Sequence, residues 1–167
     1  MRGFPPSPLM DLVEHHCGPE EAVFLKTDEP ALFAEAIESM HRARMRLLKT
    51  VLPYGSTDTI WLTENTSTSL ISPKMFKDYA MPCLRDYADL VLEYGITPVH
   101  HMCGKLKALL GLIDALPAPV NEAFTTRPVG DVSLAEGRRH MPSKALVGGT
   151  NATLWLEPEE KILETVA

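Results

Sequence analysis

Four short strand-patterned segments, each followed by a helix-patterned stretch, set the strongest constraint on what this chain can fold into. They are residues 58–63 (DTIWLT), 98–101 (PVHH), 120–124 (VNEAF) and 145–147 (ALV), the last running into Gly148-Gly149. Ser72-Pro73 opens a helix that carries Met75, Tyr79, Leu84, Tyr87 and Leu90 to a stop at Gly95, and a second runs from Lys105 through Leu109, Leu110 and Ile113. Residues 134–140 and 158–166 read as two more helices. Parallel strands cannot be joined by a tight turn, so strands alternating with helices imply a parallel sheet with helical crossovers.

Ahead of these units, residues 1–55 read as a helical lead-in. Residues 8–16 form a short helix closed by Gly18. A long one, with Pro30 near its first turn, runs through Leu32, Ile37, Met40, Met45 and Leu48 and stops before Pro53 and Gly55. The expected fold class is α/β, a partial TIM-type (β/α) barrel in one domain over 1–167, with about four βα units in 56–167. A small open sheet is the alternative arrangement of the same units. A complete eight-unit barrel takes about 250 residues, so the chain is expected to be a fragment or one part of a split barrel.

Composition narrows the function classes. A net charge of −6 argues against nucleic-acid and anionic-membrane partners, which select a basic excess. No segment approaches the ~20 apolar residues of a membrane span, and the N-terminus has no apolar run of signal-peptide type. Three cysteines make no even disulfide framework and point to a reducing, cytosolic setting. In that setting the triplets Asn65-Thr66-Ser67 and Asn151-Ala152-Thr153 carry no weight as glycosylation sites.

The chemistry concentrates in Pro98-Val99-His100-His101-Met102-Cys103-Gly104-Lys105. Residues i and i+2 of a strand share a face, so His101 and Cys103 are expected to aim an imidazole and a thiol at one point. The carboxyl ends of barrel strands are where active sites are built. Nitrogen and sulfur together suit zinc. Glu122, at the end of the next strand, is the expected third ligand, and Glu64, at the end of the first, is an acidic alternative or an outer partner to a ligand histidine. The spacing alone leaves open a buried thiol and a hydrogen-bonded imidazole with no metal. His15-His16-Cys17 repeats the spacing, but on a helix end, where i and i+2 diverge by about 200°; there the helix dipole explains the histidines.

Ser72-Pro73-Lys74-Met75-Phe76, Met81-Pro82-Cys83-Leu84, His101-Met102-Cys103-Gly104, and Gly148-Gly149-Thr150-Asn151 followed by Glu157-Pro158-Glu159-Glu160 form an ordered set. Through it, nearly the whole chain resembles the uroporphyrinogen decarboxylase superfamily. The resemblance implies a (β/α)8 barrel, shared by haem-pathway decarboxylases and by zinc-dependent methyltransferases that pass a methyl group from a corrinoid to a thiol such as coenzyme M. His-x-Cys-Gly at a strand end is similar to the methyltransferase branch. This implies zinc on His101 and Cys103 as catalytic ligands, with Glu122 near the place of an acidic ligand. It also implies a small-molecule thiol substrate, a methylated corrinoid donor and a corrinoid protein as partner.

In the loop Asn65-Thr66-Ser67-Thr68-Ser69, residues Asn65 and Thr66, with Glu64 before them, are expected to orient substrate; turn chemistry ahead of Ser72-Pro73 is the alternative. Arg127 is expected to pair with a sulfonate or carboxylate, against a solvated surface arginine, and Asn151 to contact substrate.

The chain departs from the family pattern in three ways. The superfamily's N-terminal strands, with the arginines and aspartate of the decarboxylases, are expected to be missing, as are the last strands with the distal cysteine of the methyltransferase zinc site. Asp11 or Leu12 falls where decarboxylases place a tyrosine. Three readings follow: a zinc-dependent methyltransferase-like protein, a metal-free decarboxylase-like lyase, or an inactive or split barrel fragment that self-associates or needs a complementing chain.

Overall fold

The computed structural model describes residues 2–166, and the alternation seen in sequence becomes one sheet of parallel strands. These are β1 (Arg2–Phe4), β2 (Thr59–Thr63), β3 (Thr97–His101), β4 (Val120–Phe124) and β5 (Ala145–Gly148), hydrogen-bonded in sequence order. Each strand is added on the same side of the last. That is the winding of a barrel wall, where a doubly wound sheet would reverse direction at a switch point.

Eight α-helices accompany the strands among the described residues. Helix α1 (Pro8–Asp11) continues into a π-helical turn (Leu12–His16), followed by α2 (Gly18–Asp28) and α3 (Pro30–Val51). Between β2 and β3, α4 (Pro73–Met75) passes through a second π-turn (Phe76–Ala80) into α5 (Met81–Glu93). The others are α6 (Leu110–Asp114), α7 (Leu134–His140) and α8 (Glu159–Val166). Ser72 opens α4 by accepting the Met75 N–H at 3.1 Å, and Ser133 opens α7 in a full capping box with Glu136.

Alternation assigns the faces. Ile60 and Leu62 are buried, whereas Thr59, Trp61 and Thr63 are only half-buried. Helix α5 packs on β2 and β3, and α3 packs on α5. Leu62, Leu84, Tyr87, Phe33 and Leu48 close the core between these layers.

The structure corrects the lead-in. Residues 1–55 are not purely helical: Arg2–Phe4 pairs in register with Ile60, Trp61 and Leu62, so the sheet has five strands and β1 stands at one edge. Gly18 does not simply close a helix; it begins α2, which buries only Ala22 and so has no apolar stripe for sequence to reveal. The helix expected from Lys105 starts later, because Asp131 accepts the Leu106 and Lys107 N–H groups at 2.9 and 3.0 Å and holds them outside it.

Helix α7 approaches β4 through Gly137. A Cβ there would lie 2.5 Å from Cζ of Phe124, which is completely buried and has no room to retreat. Glycine to alanine inside a helix ordinarily stabilises by about 1 kcal/mol. Gly137→Ala is expected to do the reverse and cost about 1–3 kcal/mol by overpacking, read from urea unfolding midpoints at unchanged slope.

Candidate functional site

The carboxyl ends of β2, β3 and β4 meet at one mouth. Strand pairing sets Thr63 beside His101 and His101 beside Glu122. His101 Nδ1 is hydrogen-bonded to Glu122 Oε2, and the imidazole stacks on Trp61 with ring centroids 6.1 Å apart at 24°. The ring is thus held from two neighbouring strands, and its Nε2 is the nitrogen left for other work.

Glu122 is aimed by an irregularity. Between Asn121 and Phe124 the register against β5 slips, with three steps on β4 matching two on β5, and Ala123 takes a left-handed conformation (φ 57°). A bulge of this kind inserts one residue and bends the strand locally. Left-handed geometry strains any residue with a Cβ, and here the strain sits next to Glu122.

Cys103 follows two residues after His101 and is half-buried. Burial pushes its thiol up from the usual range, and the Glu14 and Glu122 carboxylates add to that. Its Sγ donates to Asn65 Oδ1 at 3.6 Å, and Asn65 Nδ2 donates to Glu14 Oε2 at 3.2 Å. The chain turns away at Gly104 (φ 99°), where a Cβ would stand 2.9 Å from that of Ser67. Lys105 N–H donates to Ser67 Oγ at 3.1 Å and Thr68 N–H to the Lys105 carbonyl at 3.0 Å, clamping the 65–69 loop onto this turn.

The other expected site residues are placed as follows. Glu64 is completely buried, and its carboxylate accepts both the Ser7 N–H (2.7 Å) and the Ser7 hydroxyl (2.8 Å) rather than a histidine. Thr66 is also enclosed, with no hydrogen-bond partner for its hydroxyl among the described residues, so neither side chain faces an open mouth. Asn65 is half-buried and bridges Cys103 and Glu14. Arg127 is exposed and donates to the Asp131 carbonyl at 3.1 Å. Asn151 is buried and donates to the Arg127 carbonyl at 2.7 Å. Arg127 and Asn151 line a polar recess of about 280 Å³ with Thr126, Glu157 and Lys161.

Sequence reasoning missed Glu14, 51 residues from Asn65, because nothing local pairs them. His15 and His16 stay exposed on the π-turn, facing Glu14 and Asp11 at 3.7 and 3.5 Å.

His101, Cys103 and Glu122 are the residues expected to hold zinc. Among the described residues no three His, Cys, Asp or Glu side chains are grouped to hold a metal ion. Glu122 meets His101 instead of a point common to all three. A nitrogen and a sulfur at one strand end, with a carboxylate on the histidine's far nitrogen, fit part of a tetrahedral zinc site: two direct donors and one orienting partner.

A family model described as uroporphyrinogen decarboxylase (URO-D) matches residues 9–167. A solved methyltransferase from Methanosarcina mazei superposes with a TM-score of 0.77 at 18% identity, over 98% of this chain and 47% of that one. The chain therefore spans about half the length of that structure and shares its fold, as a partial (β/α) barrel. No curated protein matches the chain in sequence.

Burial drives the Glu64 carboxyl up to about 7, against the two Ser7 hydrogen bonds that favour its charged form. Unfolded, it titrates near 4.3. Between these values the folded chain holds a proton that the unfolded chain has released. Stability contributed here is therefore full at low pH and lost as pH rises through about 7. Relative to Glu64→Gln, which has no such proton, the wild type is expected to lose about 3 kcal/mol between pH 4 and pH 8. Urea unfolding of both proteins across that range is the measurement, and parallel curves would show that Glu64 is not the titrating group.

Proposed function

The chain belongs to the uroporphyrinogen decarboxylase family, and on that premise we propose that it is a methyltransferase-like member that readies a small-molecule thiol for methylation by a corrinoid or similar donor. His101 and Cys103 are its share of a zinc centre. The observation that carries this reading is the holding of His101: Glu122 takes Nδ1, Trp61 stacks on the ring, and a thiol stands two residues further along the same strand end. Histidines that ligate metals are characteristically held in this way, with a carboxylate on the other nitrogen fixing the tautomer.

Bound zinc supplies Lewis acidity that keeps an acceptor thiol as thiolate near neutral pH. The protein's residues do the rest. His101 and Cys103 would hold the metal, Glu122 orients the imidazole, and the 65–69 loop fixes the turn that carries the sulfur. Arg127 and Asn151, at the recess beyond β4 and β5, serve an acidic group of the substrate. The cysteines are unpaired, which suits a reducing cytosolic setting.

The remaining zinc donors come, in this reading, from a further βα segment that completes the wall. Two features support this. Strands β1 and β5 stand at the sheet edges, and Trp155, Leu156, Leu163 and Val166 beyond β5 are all more than half exposed.

Elemental analysis of protein purified under reducing conditions tests the reading. On zinc reconstitution the wild type is expected to take up zinc, more weakly than a site with all four donors, with loss in Cys103→Ser. Glu122→Gln is expected to retain the fold but bind zinc about 10–100-fold more weakly in a chelator competition. A wild type that takes up no zinc even on reconstitution would point instead to a metal-free relative.

A further inference from the structure

Glu14 has no role in the proposed zinc chemistry, yet it is tied to the sulfur. It sits on the π-turn Leu12–His16, an arrangement common at functional sites. Its side chain is 18% exposed. Oε2 accepts from Asn65 Nδ2 at 3.2 Å, and Oε1 is buried with no hydrogen-bond partner among the described residues. Asn65 Oδ1 faces Cys103 Sγ at 3.6 Å.

The direction of this row is forced. An ionised carboxylate only accepts hydrogen bonds, whereas an amide has one accepting end and one donating end. Asn65 must therefore turn its NH2 to Glu14 and its carbonyl to the sulfur. The sulfur is left as the donor, an S–H.

We propose that Glu14 is a positioning residue for Cys103, acting through Asn65: its charge sets the direction of the amide, and the amide holds the sulfur as a hydrogen-bonded thiol aimed into the 65–69 loop. Any bearing on metal capture rests on the zinc reading above; the positioning itself does not. The alternative is a packing role for Glu14 at the seam between the π-turn and the loop, and an isosteric replacement separates the two. Glutamine preserves shape and can donate, so it removes only the rule that fixes the amide's direction.

The test is the infrared S–H stretching band of Cys103 in metal-free protein, assigned by difference against Cys103→Ser. Asn65→Ala is expected to move the band to the higher frequency of a free thiol. Glu14→Gln is expected to move it the same way, and Glu14→Gln with Asn65→Ala no further than Asn65→Ala alone, since both act through one amide. An unmoved band in Glu14→Gln, or shifts that add in the double variant, would overturn the proposal. Should Glu14→Gln fail to fold, Glu14→Met, close in size and uncharged, read in the same way decides it. Zinc content, measured separately, tests the functional reading: a wild type without zinc sinks that reading while the band still decides the role of Glu14.

Discussion

A slip of one residue in β3 against its neighbours would turn His101 away from Glu122 and carry His100 into the mouth. Side chains of a strand alternate with a period of two, so register decides which of two adjacent histidines does chemistry. The pairing of Leu62 with His100, Thr63 with His101 and His101 with Glu122 holds that register from both sides. Burial of Ile60 and Leu62 under α5 enforces it, because slipping β2 would expose both. The site therefore depends on the core packing behind it.

Two successive rungs of the β3–β4 pair show what this achieves. His100, opposite Asn121, is completely buried, and burial with the nearby Lys144 ammonium pushes its imidazole down to about 3, so it stays neutral. His100 Nε2 and both polar atoms of Asn121 are buried without hydrogen-bond partners among the described residues. Such groups cost stability, and nothing in the structure accounts for them. One residue along, His101 and Glu122 are partly open and bonded to each other. Histidine in His100-His101 thus has two unrelated meanings, and only the parity of the strand separates them.

Parity also explains what could be read from sequence. Strands β2 to β5 are legible because turn residues bound each short strand-patterned run, and the place of Glu122 beside His101 at the mouth is legible from the neighbouring strand ends; its hydrogen bond to His101, in place of the ligand role expected of it, is seen only in the structure. The burial of Glu64 has a signal in the sequence. Glu64 shares parity with Ile60 and Leu62, the buried face, and that argues for an enclosed acid rather than one at the mouth. Strand β1 was hidden because three residues abutting Pro5-Pro6 show no alternation, and the partner that makes them a strand lies at Ile60–Leu62. Helix α2 was hidden for the converse reason, since a surface helix that buries only Ala22 has no periodic stripe. Glu14 could not be found locally at all. Its link to Asn65 exists only after α1 has docked.

That docking is the work of Glu64. Its carboxylate takes the N–H and hydroxyl of Ser7, and the Ser7 hydroxyl accepts the Met10 N–H to start α1, so one buried acid ties the end of β2 to the first helix. Arg44, on α3, adds a second tie by reaching Asp11 at the far end of α1. Between these anchors the π-turn is held where Glu14 meets Asn65. The loop bearing Asn65 is clamped in turn to Lys105, beyond Cys103. The sulfur is thus located by segments near residues 14, 65 and 104 that come together only in the folded chain. Residues 7–16 are part of the mouth, not a lead-in to it, and loosening Ser7 from Glu64 would be felt at Cys103 through contacts that neither residue makes itself.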